Sequence, residues 1–62
     1  GIAQMNAKTI VKYELGRATK ALRELDAFIL DDAEFLKLPE PKRAQLEQLS
    51  QALSRYIGEL GG

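Results

Sequence analysis

Between Asn6 and Leu30 the chain has no proline, and Val11, Leu15, Ala18, Leu22, Leu25 and Ile29 recur at alternating intervals of four and three. That interval is the a/d seam of a heptad, which an α-helix presents as one continuous stripe. The pattern returns after Pro41, where Leu46, Leu49, Leu53, Tyr56 and Leu60 stand three, four, three and four apart and Ile57 thickens the line. Two matched stripes make the chain all-α. The spacing predicts a helix over residues 6–30, a short helical or irregular connector over 31–40 and a second helix over 41–60. At 1.5 Å per residue these helices are roughly 37 and 30 Å long, so they lie side by side as an antiparallel two-helix hairpin once the connector reverses the chain.

The seam of the first helix is broad. At about 100° per residue, Ala7, Ile10, Ala21 and Phe28 widen it on one side. Two amphipathic helices cannot enclose faces of that width, and a chain of 62 residues is short for a single core. Pairing of two hairpins into a dimeric four-helix bundle is the expected remedy, with docking of one hairpin on another protein as the alternative. The residues expected to mediate self-association are Val11, Leu15, Ala18, Leu22, Leu25 and Ile29 on one helix and Leu46, Leu49, Leu53, Tyr56, Ile57 and Leu60 on the other. Glu14 falls inside the apolar arc by phase. It either reaches water at the rim or makes a polar contact that fixes register and partner. Gly16 lies outside the seam and is tolerated there.

Asp31 to Leu38 begins with candidate aspartate caps and suits one or two helical turns before Pro39-Glu40-Pro41 ends them, Pro41 then fitting the first turn of the next helix. Phe35, Leu36 and Leu38 are large apolar residues outside both seams, rimmed by Asp31, Asp32, Glu34 and Glu40. They are expected either to cap the open end of the core or to form a partner-binding patch.

The chain contains no cysteine and no histidine, which removes thiolate metal sites, disulfides and the commonest general base. Ser50 and Ser54 have no histidine to activate them. Asp31, Asp32 and Glu34 lack the glycine and distant glutamate of a calcium loop and read as solvated cap residues. No enzyme, cofactor, metal site or small-molecule substrate is expected. With 9 basic and 9 acidic residues the chain is neutral overall, yet residues 1–23 hold five bases against Glu14 while 24–40 hold six acids against Lys37. This opposes the helix dipole, and an antiparallel neighbour with base-rich and acid-rich ends facing is the simplest compensation. Lys8, Lys12, Lys20 and Arg23 share a sector; without an interleaved aromatic they read as a solvated face, so nucleic acid is a weaker expectation than protein. No apolar run approaches the roughly 20 residues of a membrane span, and a cytoplasmic setting is expected. Residues 1–4 read as a tag remnant ahead of Met5, although an internal fragment would look the same.

Leu49-Ser50-Gln51-Ala52-Leu53-Ser54-Arg55-Tyr56-Ile57 resembles the second helix of the aspartyl-phosphate phosphatases that act on a sporulation response regulator, small helical hairpins whose motif reads roughly Ser-Gln-Glu-Leu-Asp. Ser50, Gln51 and Leu53 match, whereas Ala52 replaces the acid and Ser54 the aspartate. The resemblance implies binding to a response regulator without the phosphatase step. Leu22-Arg23-Glu24-Leu25-Asp26, the acidic connector and Gln45-Leu46-Glu47-Gln48-Leu49 together resemble the dimerising helix pair of docking domains in modular polyketide synthases. That likeness implies a homodimeric linker joining successive subunits.

Overall fold

The computed structural model describes residues 6–61; Gly1 to Met5, with the suspected tag remnant and start, and Gly62 lie outside the described residues. Helix α1 runs Ala7–Ile29, the single turn α2 runs Asp32–Phe35, and α3 runs Glu40–Gly61. No strand occurs among the described residues.

Each boundary has a local cause. Asn6 is extended, and its side-chain oxygen accepts the Thr9 backbone N–H at 2.9 Å, so α1 starts one residue after the predicted position with Asn6 as its cap. At the other end the Leu30 N–H donates to the Asp26 carbonyl and the Asp31 N–H to the Phe28 carbonyl, which turns the chain without a glycine. The expected aspartate cap of the connector is made by backbone alone. The Asp31 carbonyl accepts from Glu34 and Phe35 at 3.1 and 2.8 Å, while the Asp31 carboxylate makes no capping bond. Pro41 sits in the first turn of α3, where its missing N–H costs nothing, and the Pro39 carbonyl accepts from Lys42 and Arg43 at 3.0 and 3.1 Å.

Helices α1 and α3 pack antiparallel. The Ser50 hydroxyl donates to the Asp26 carboxylate at 2.6 Å, and the Tyr56 hydroxyl donates to Glu14 at 2.7 Å. That register sets Ile29 near Glu47, so Glu40–Gln45 projects beyond the end of α1 by roughly 9 Å at 1.5 Å per residue. The described residues therefore form a rod of 47 × 19 × 15 Å. Its radius of gyration of 15.0 Å exceeds the roughly 10.5 Å of a compact domain of this length.

The core is correspondingly thin. Among the described residues only Ala18 and Phe35 are buried, each 6% exposed. Ala18 lies where the two helices come together, and Phe35 folds back from α2 to meet Phe28 edge-on, with ring centroids 6.1 Å apart at 85°.

Candidate functional site

The two helices do not meet at the middle of their apolar arcs. The contact runs through Leu15, Leu22, Asp26 and Ile29 of α1 and Leu46, Ser50, Leu53 and Ile57 of α3, all half-buried. Its centre is thus rotated toward the Asp26–Ser50 pair, and the opposite flank of each arc stays in solvent. On α1 that flank consists of Ile10, Ala21 and Phe28, which fall within about 20° of one another at 100° per residue. On α3 it consists of Leu49, Ala52 and Tyr56. Because the helices are antiparallel, both flanks point to the same side of the hairpin, and one hollow lined by Ile10, Glu14 and Tyr56 joins them. The side chains concerned are large and wet: Ile10 is 54% and Leu49 49% exposed, with Phe28 and Tyr56 each exposed by more than a third.

Glu14 stands at the edge of this open face and makes a polar contact between the helices. Its carboxylate accepts the Arg17 Nε at 2.8 Å, the second guanidinium nitrogen at 3.2 Å and the Tyr56 hydroxyl at 2.7 Å. The Arg17 guanidinium first, and the Tyr56 hydroxyl second, hold the Glu14 carboxyl below its ordinary value against a smaller opposing effect of desolvation. The same hydrogen bond pushes the Tyr56 phenol above its ordinary value, since ionising it would set two anions side by side.

A pH dependence with two limbs follows. The lowered Glu14 value contributes stability that is full above the unfolded carboxyl value of about 4.3 and is lost as pH falls through the folded value. The raised Tyr56 value contributes stability that is full below about 10 and is lost as pH rises through the folded value. Thermal midpoints should form a plateau between these limits. Tyr56→Phe should lower the plateau, abolish the alkaline shoulder due to this phenol and shrink the acid one, leaving the part due to Arg17. An alkaline limb unchanged in Tyr56→Phe would show that the phenol does not act through Glu14.

The residues expected to mediate self-association fall into two groups by exposure. Ala18 is buried, and Leu15, Leu22, Leu25, Ile29, Leu46, Leu53, Ile57 and Leu60 are half-buried, so these are largely used within the hairpin, whereas Val11, Leu49 and Tyr56 remain exposed. Of the connector residues, Phe35 is in the position of a cap, Leu38 is half-buried and Leu36 is 61% exposed. Sequence reasoning did not single out Asp26 with Ser50, a pair 24 residues apart with no local signal. It also passed over Tyr13, which is 71% exposed and shares a shallow hollow above Gly16 with Lys12, Arg17 and Lys20.

Compared with protein-family models, curated proteins and solved structures, the chain matches none. Neither resemblance noted in its sequence extends to a family match. Among the described residues no three or more acidic side chains come together to hold a metal ion, and no helix is long and apolar enough to cross a membrane.

Proposed function

We propose that the chain is a non-enzymatic protein–protein interaction module, of the docking, adaptor or dimerisation kind, whose hairpin pairs with a second copy into a four-helix bundle. The open face carries this reading, because it sets Ile10, Phe28, Leu49 and Tyr56 in water on a single side.

Sedimentation equilibrium should return about twice the chain mass of 6.9 kDa, with a thermal midpoint that rises with concentration. A folded monomer at micromolar concentration, with a midpoint independent of concentration, would contradict the proposal. A second reading, binding of a polyanion, has one observation in its favour, the exposed Tyr13 ring among Lys12, Arg17 and Lys20, since an aromatic beside cations suits stacking against a base. The same runs with a short single-stranded RNA distinguish the two. Co-sedimentation that vanishes steeply with salt supports the polyanion, and an unchanged profile supports the protein module alone.

A further inference from the structure

The hairpin is electrically polar along its length. The half containing the connector, residues 24–47, carries Glu24, Asp26, Asp31, Asp32, Glu34, Glu40 and Glu47 against only Lys37, Lys42 and Arg43. The half containing the open end, residues 6–23 and 48–61, carries Lys8, Lys12, Arg17, Lys20, Arg23 and Arg55 against Glu14 and Glu59. A neutral chain is thus a rod of 47 Å with four net charges of opposite sign at its two ends. Helix α3 lies antiparallel to α1 but does not cancel this polarity, because its own charges are few and nearly balanced.

From this we infer that two copies pair open face to open face with their connectors at opposite ends of the bundle. The inference rests on the dimeric reading above and specifies its geometry. Two-fold pairing about an axis across the rod sets the base-rich end of each copy on the acid-rich end of the other. The alternative, a two-fold along the rod, stacks acid on acid at one end and base on base at the other. The charges lie about one helix spacing apart across the bundle, 8–10 Å, so screening at physiological ionic strength weakens this preference without removing it.

The shapes agree with the charges. Ile10 and Phe28 lie 18 residues apart on α1, so end-over-end pairing that sets Ile10 against Phe28 of the second copy centres the axis near Thr19. Ile10 then forms the bulk toward the open end of the face and Phe28 with Leu49 the bulk toward the connector, while the register sets Tyr56 close to the level of the axis. Ala21 and Ala52 occupy the middle, where small side chains let the helices approach. Glu24 of one copy comes within about one helical turn of Arg17 of the other, which adds a complementary pair on the rim.

The absence of cysteine makes the test direct. Leu36→Cys places a unique thiol on a connector position that is 61% exposed, for a nitroxide label. Sedimentation first establishes the mass of the labelled chain, and dipolar electron resonance then measures the distance between labels. Connectors at opposite ends give a separation of about 45 Å, from 1.5 Å per residue on either side of the axis. A dimeric mass with labels about 20 Å apart, two helix spacings, would overturn the arrangement while leaving the dimer standing. A monomeric mass overturns the dimer itself, so the two failures are separately visible.

Discussion

Replacing either Leu22 or Leu53 by aspartate should abolish cooperative unfolding and most of the helical circular-dichroism signal at micromolar concentration. Both leucines are half-buried on the line where α1 and α3 meet, and Leu53 shares a hollow with Ala18 and Ala21. Truncating such a side chain alone costs about 2–5 kcal/mol. The aspartate adds the desolvation of a carboxylate that has no designed partner there. Small domains hold only about 5 kcal/mol in total at the lower end of the usual range, so the loss exceeds what the hairpin can absorb. A folded Leu53→Asp chain with an unchanged thermal midpoint would show that the helices are held together by something other than this line.

Phe35→Ala should be nearly as damaging, by about 3–5 kcal/mol. At roughly 4–8 °C per kcal/mol for a domain of this size, the thermal midpoint should fall by at least about 12 °C. The reason is specific to the place. Phe35 is the only large side chain among the described residues that is buried, and it closes the end of the hairpin by standing edge-on against Phe28. Leu36→Ala is the control, since Leu36 is exposed and its truncation should change stability by no more than about 0.5 kcal/mol. Equal losses in the two variants would remove the distinction between a capping and an exposed connector residue.

The contrast between those neighbours shows what periodicity can and cannot convey. Spacing located both helices to within a residue, because a heptad stripe and a Pro39-Glu40-Pro41 break are local signals. It did not reveal which edge of each stripe faces the other helix. Leu49 and Tyr56 occupy seam positions yet remain exposed, while the polar Ser50 and Asp26 are drawn inward to hydrogen-bond each other. The stripe is wider than one neighbouring helix can cover, so the packing angle is settled by long-range pairs, and these leave no trace in local order. Glu14 was legible as an anomaly of phase, but its acceptor role toward Tyr56, 42 residues away, was not. The connector offered two roles to Phe35, Leu36 and Leu38 together; on the helical turn that forms there, neighbouring side chains point about 100° apart, so the Phe35 ring is buried while Leu36 stays exposed.

The antiparallel register also orders the events by which the hairpin closes. Asp26 and Ser50 are separated by 24 residues, Glu14 and Tyr56 by 42. Closing the longer loop from an open chain costs about 0.5 kcal/mol more in entropy than closing the shorter one. Once the turn around Phe35 and the Asp26–Ser50 pair have formed, however, each further turn of helix adds contacts with almost no additional loop to close. Folding should therefore nucleate at the connector and run toward the termini as a zipper, with the speed typical of helical proteins rich in local contacts. The open face is complete only when that zipper has reached Ile10 and Tyr56, so if two copies pair as proposed, pairing should follow closure and be the step whose rate depends on concentration.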